Sequence, residues 1–154
     1  MKNRPLKKVM FVCRGNACRS PMAEAIARRI AADVMEVSSA GLTPLGRVEI
    51  LTKHTLLKNG YSPDGLESKP IVPAALLAAD MIMNMSGCPI EMDLADPAKV
   101  EDWRVEDPYG ADAKLYQRIF EDIERRVAEL ADRLRNAQRT GTKTRNTKGK
   151  RTGK

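Results

Sequence analysis

The spacing of apolar and polar positions changes several times along this chain, and each change marks an element. The unbroken apolar run Val9-Met10-Phe11-Val12 reads as a short strand buried on both faces. Residues 20–32 follow as a helix, and Ser20-Pro21 marks its start because proline in the first turn gives up no needed donor. A second strand is predicted over 35–38. A helix is predicted over 47–59, where Val48, Leu51, Leu56 and Leu57 recur near helical spacing until Asn59-Gly60 stops it. Residues 71–79 read as another helix, interrupted near its start by Pro73, residues 81–85 as a third strand and residues 90–94 as a fourth. From 113 to 136, Leu115, Ile119, Phe120, Ile123, Val127, Leu130 and Leu134 mark one face of a long helix, which is a core stripe.

Strands alternating with helices predict an α/β fold. The expected architecture is one domain, residues 1–138, with a doubly wound four-stranded parallel sheet flanked by helices and joined by right-handed crossovers. In such sheets ligands bind beyond the carboxyl ends of the strands, and the first strand ends at Cys13.

The composition agrees with a globular domain. The 154 residues are 42% hydrophobic and 31% charged, enough to bury a core, and no apolar run approaches the ~18 residues of a membrane span. No apolar stretch with a cleavage site follows the basic first residues, so no secretory signal is expected. Three cysteines suit a reducing cytoplasm better than a disulfide framework, and a cytoplasmic location is expected. The charge is unevenly distributed. Of 27 basic residues, seven fall within 139–154, which has no acidic residue, so the body balances at 20 against 20. That segment has no apolar side chain to bury and is expected to be a disordered, solvated tail. The sharper alternative is a salt-sensitive contact with nucleic acid or an acidic partner.

The chemistry concentrates in Cys13-Arg14-Gly15-Asn16-Ala17-Cys18-Arg19-Ser20, on the turn between the first strand and the first helix. Backbone N–H groups of a tight loop, with the positive end of the following helix, form a concave oxyanion site. The same field favours Cys13 as the attacking thiolate. The planar fork of Arg19 can hold two oxygens of a phosphoryl group in parallel and take up charge in the transition state. Gly15 lets the backbone turn closely under the anion. A carboxyl outside the anion cradle is needed to protonate a leaving group, and Asp107-Pro108-Tyr109-Gly110 presents one on a turn.

With these residues the chain resembles the low-molecular-weight protein-tyrosine-phosphatase and arsenate-reductase superfamily, from about residue 7 to 135. The resemblance rests on the loop through Pro21-Met22-Ala23-Glu24, on Ser39-Ala40-Gly41 after the second strand, on Asp80 opening the third, and on Glu106-Asp107-Pro108-Tyr109-Gly110 before the last helix. It implies that Cys13 is the nucleophile and that Asp107 is the acid for the leaving phenolate, then the base for water. It also implies that Asn16 and Ser39 brace the loop, that Ser20 donates to the Cys13 thiolate, and that Tyr109 flanks a phosphotyrosine ring. The histidine that often joins the bracing pair is absent, with Gly65 near its place, and His54 reads as structural or exposed. Arg14 faces incoming substrate in this reading, and Ala17 completes the loop. Cys18 either fills the underside of the loop or traps oxidised Cys13 as a disulfide.

The main expectation is a phosphatase acting on phosphotyrosine or another aryl phosphate, with no metal or cofactor. The alternative is a thiol-dependent arsenate reductase using Cys13 with Cys18 or Cys88 and drawing on thioredoxin or glutathione. Cys88-Pro89 and Trp103 resemble that branch, but Met85 stands where its intermediate thiol would be, and a thioether cannot form a disulfide. The non-enzymatic alternative is an oxyanion-binding or interaction protein.

Overall fold

The computed structural model describes residues 5–90 and 95–151, the last of these, 141–151, by backbone alone. Four strands, β1 (Lys7–Cys13), β2 (Met35–Gly41), β3 (Met81–Asn84) and β4 (Val100–Asp102), form one sheet in the order β2-β1-β3-β4. Every pairing is parallel, with Phe11 opposite both Ser39 and Met83. Four α-helices connect and cover them: α1 (Arg19–Ile30), α2 (Ile50–Lys58), α3 (Pro73–Ala78) and α4 (Ala113–Arg151).

Alternation along β1 divides the core. Val9, Phe11 and Cys13 join the larger cluster with Met22 and Ile26 of α1 and Phe120, Ile123 and Val127 of α4. Met10 and Val12 face the smaller cluster, with Leu76 of α3, Ala79 and Ile82. Burial on both faces is why β1 reads as a continuous apolar run. The expected parallel α/β sheet with flanking helices is the observed fold. No helix among the described residues is long and apolar enough to cross a membrane.

Three readings shift. The fourth strand among the described residues is Val100–Asp102; the strand expected over 90–94 falls mostly on residues 91–94, outside the described residues, and Ile90 packs into the smaller cluster as irregular chain. A three-residue edge strand reading Val-Glu-Asp has almost no β signal of its own and exists through its pairing with β3. Pro73 opens α3 instead of interrupting it, since the first turn needs no N–H there. The backbone of α4 is helical beyond residue 136, where its apolar stripe predicts its end.

Candidate active site

The loop between β1 and α1 is held from outside by its own carbonyls. Those of Cys13, Arg14 and Gly15 accept from the N–H groups of Leu42, Thr43 and Leu45 at 3.2, 2.8 and 3.0 Å, and that of Ala17 accepts from Glu49 at 3.1 Å. Ser68 Oγ and Thr52 Oγ1 donate to Gly15 and Ala17, each at 2.9 Å. The C=O and N–H of a trans peptide point in opposite directions. With these carbonyls turned outward, the N–H groups of Arg14, Gly15, Asn16 and Cys18 turn into the loop, where they can meet an oxyanion. The N-cap residue of α1, Cys18, makes no side-chain capping bond and the first turn carries no acidic residue, so the positive helix end faces the same point, where Cys13 Sγ accepts from Ser20 N–H.

Asn16 sits at φ 49°, in the left-handed region that asparagine tolerates. Its Nδ2 donates to Ser20 Oγ at 2.7 Å and Ser39 Oγ at 3.0 Å, while Lys69 N–H donates to its Oδ1 at 2.9 Å. Gly41 is the close approach on the other side: a Cβ there would lie 2.9 Å from Asn16 N and 3.0 Å from Arg14 O. That makes Gly41 part of the loop's support, a role that Ser39-Ala40-Gly41 did not show as sequence.

Cys13 is buried, with Ser20 Oγ 3.0 Å from its sulfur and Ser20 N–H donating to it at 3.4 Å. Arg19 is buried too. Its Nη1 donates to the carbonyls of Met85 (2.5 Å) and Val105 (3.2 Å), and its Nη2 lies 3.4 Å from the half-exposed Asp107 carboxylate. Its Nε is the buried side-chain polar atom left without a partner among the described residues. Asp107 also accepts from Tyr109 N–H at 3.0 Å, which sets the turn that places both residues.

These residues share one cavity of about 320 Å³, lined by Cys13, Arg14, Gly15, Arg19, Leu45, Asp107 and Tyr109 among others. Leu45 and Tyr109 are 49% and 59% exposed. Cys18 reaches the same cavity from below, where its sulfur lies 3.3 Å from Tyr116 Oη. Burial pushes the Cys18 thiol up, and burial likewise raises Tyr116. Cys88 lies elsewhere. It lines a neighbouring cavity of about 670 Å³ with Met85, Trp103 and Arg19, so Arg19 is common to both walls. His54 is exposed on α2, and Gly65 takes a φ of +77°. Leu45 was not singled out from the sequence, because nothing in Thr43-Pro44-Leu45-Gly46 shows that its backbone ladders onto the loop.

A sequence model described as "Low molecular weight phosphotyrosine protein phosphatase" matches residues 8–140. The chain is 30% identical over 131 residues to a glutaredoxin arsenate reductase of Synechocystis sp., covering 84% of this chain and 99% of that protein. Among solved structures it resembles an arsenate reductase in the phosphate-binding state, with a TM-score of 0.71 and 28% identity over 84% of this chain and 99% of the other. It also resembles a protein tyrosine phosphatase, with a TM-score of 0.74 and 25% identity over 82% and 95%. The Cys13–Ser20 loop, the parallel sheet that carries it and a family match over residues 8–140 lead to one conclusion: this chain is a member of the low molecular weight phosphotyrosine protein phosphatase family.

Proposed function

We propose that the chain hydrolyses aryl phosphate esters, phosphotyrosine in a protein among them, through a phosphocysteine at Cys13. The observation that carries this reading is the lining of the Cys13 cavity. Exposed Leu45 and Tyr109 offer apolar wall that a bare inorganic oxyanion does not need and an aryl group does. In the first step the Cys13 thiolate attacks phosphorus, the S–P bond forms, and the P–O(aryl) bond breaks as Asp107 gives its proton to the leaving phenolate. In the second, Asp107 takes a proton from water, the resulting hydroxide attacks phosphorus, and the S–P bond breaks to return thiolate and inorganic phosphate. Asp107 pairs with Arg19 and lines the Cys13 cavity without belonging to the loop itself, which supports this role.

General acid catalysis contributes about 10²- to 10⁴-fold in rate. Asp107→Asn is therefore expected to slow p-nitrophenyl phosphate turnover on that scale, while the inhibition constant of inorganic phosphate changes little. An unchanged turnover number would remove the role assigned to Asp107.

A second reading, thiol-coupled arsenate reduction, rests on kinship, since the Synechocystis relative bears that name over its full length. Kinship supports this reading at least as well as it supports hydrolysis. In it Cys13 attacks arsenate and water leaves. A second thiol then attacks the Cys13 sulfur, the S–S bond forms, and the As–S electron pair reduces arsenic to arsenite. Glutathione or thioredoxin would reduce the disulfide. Cys18 is held in its thiol form by burial, Cys88 lies in the adjoining cavity, and Met85 supplies no thiol.

One pair of assays separates the two readings: aryl-phosphate hydrolysis and glutathione- or thioredoxin-dependent arsenate reduction, each on the wild type and Cys88→Ser. Hydrolysis that Cys88→Ser leaves intact is the expected result. Arsenate turnover lost in Cys88→Ser, with negligible hydrolysis, would establish the reductase instead.

A further inference from the structure

We infer that Arg47 and Arg14 form a basic rim that selects acidic residues flanking the phosphotyrosine of a protein substrate. The inference rests on the ester-hydrolysis reading proposed above and narrows its substrate class.

The Cys13 cavity, about 320 Å³, takes a phosphorylated side chain, so the residues on either side of it in a protein substrate must pass over the rim. Residues 42–49 supply part of that rim. The N–H groups of Leu42, Thr43 and Leu45 hold the carbonyls of Cys13, Arg14 and Gly15, and Glu49 N–H holds that of Ala17. Gly46 N–H donates to Ser68 Oγ at 3.1 Å, and Ser68 Oγ donates in turn to Gly15. Arg47 therefore directly follows one anchor to the loop and stands two residues before another, so its backbone is fixed beside the loop. It does not line the cavity itself, which places it outside, where flanking residues pass, while Arg14 lines the cavity from an exposed position.

Both arginines are exposed, and among the described residues neither guanidinium has a hydrogen-bond or ion-pair partner. Arg125 and Arg133, exposed as well, are instead matched by Asp122 and Glu101. The carboxylate on the cavity wall, Asp107, is paired with Arg19, and Glu49 and Glu67 form no ion pair with either rim arginine. Two unmatched guanidinium forks beside an anion site suit the side chains of Asp and Glu, which accept their parallel N–H groups. Charges placed in this way around a binding site contribute to the choice of partner more than to raw affinity.

The test is a pair of phosphotyrosine peptides that differ only in the flanking residues, Asp and Glu in one and Asn and Gln in the other. An exposed arginine–carboxylate pair shifts binding by up to about fivefold, so the two arginines are expected to favour the acidic peptide about tenfold in kcat/KM at about 0.05 M salt. At about 1 M salt, where charges are screened within about 3 Å, the ratio should fall below about twofold. Arg47→Gln, at an exposed position without a partner to lose, should lower the ratio about threefold, and Arg14→Gln combined with it should bring the ratio to about one. Both peptides carry the same phosphotyrosine, so any effect of Arg14→Gln on the phosphoryl step cancels. Equal kcat/KM for the two peptides in the wild type overturns the inference, as does a preference that survives high salt or the double variant.

Turnover of p-nitrophenyl phosphate, which has no flanking residues, judges the hydrolysis reading separately. If neither it nor the peptides are turned over, that reading falls, and the same tenfold ratio is then expected in the dissociation constants of the two peptides, measured by calorimetry on the wild type. Equal dissociation constants, or no binding of either peptide, overturn the basic rim as well.

Discussion

Cys13→Ser is expected to abolish turnover of both aryl phosphate and arsenate, with a loss on the order of 10⁴-fold or more, since every later step begins from a bond to this sulfur. The substitution changes one atom at the end of β1, and its neighbours already suit an oxygen. Ser20 Oγ and Ser20 N–H lie within hydrogen-bonding distance of the sulfur. The loop is braced by Asn16 and by carbonyl contacts that do not involve the Cys13 side chain. The variant should therefore fold, keep its thermal midpoint within a few degrees, and still bind inorganic phosphate by calorimetry. Turnover lost together with binding would point to a collapsed loop instead of a missing nucleophile. Retained turnover would remove Cys13 from the reaction under either reading. Retained oxyanion binding in a wild type without any turnover would favour an oxyanion-binding protein.

The loop was legible in the sequence because its parts are local: the strand, the Gly-Asn turn, the thiol and guanidinium, and the Ser-Pro helix start all lie within about twenty residues, so backbone preference alone places them. The long helix was legible for a similar reason, its apolar stripe being repeated often enough to reveal the period. What escaped is what depends on contact across the chain. The edge strand Val100–Asp102 is made by its partner β3, and its own three residues carry two charges. Gly41 and Leu45 gain their importance from lying against Asn16, Arg14 and Gly15, which spacing along the sequence does not show. Glu24 was legible as part of a motif, but its buried contact with Ser39, fifteen residues away on β2, belongs to the fold. Asp107 lies between. The turn around it can be read from the sequence, while its approach to Arg19 belongs to the fold.

Arg19→Lys should lower kcat about 10³-fold or more, although charge and approximate length are conserved, because the geometry that holds this side chain is a guanidinium's. Nη1 is committed to two backbone carbonyls, those of Met85 before the second cavity and Val105 before the Asp107 turn. With that end fixed, Nε and Nη2 are the remaining edge, and a guanidinium edge offers two parallel N–H groups to a tetrahedral anion. Nε is buried and unpaired among the described residues, and Nη2 has only the 3.4 Å contact to Asp107, so this edge is available without breaking a strong bond. A lysine ammonium cannot hold the carbonyls and present two spaced donors at once. If it satisfies Met85 and Val105 it leaves the anion, and if it turns to the anion it leaves two buried carbonyls short of a donor. The loss should appear in kcat more than in the inhibition constant of inorganic phosphate, because loop N–H groups still hold the ground-state anion while the charge that develops on it meets one donor fewer. Measuring both constants on Arg19→Lys and Arg19→Met decides the point. If lysine restored most of the activity lost in methionine, Arg19 would act as a point charge, and the fixed-edge account of its role would be wrong.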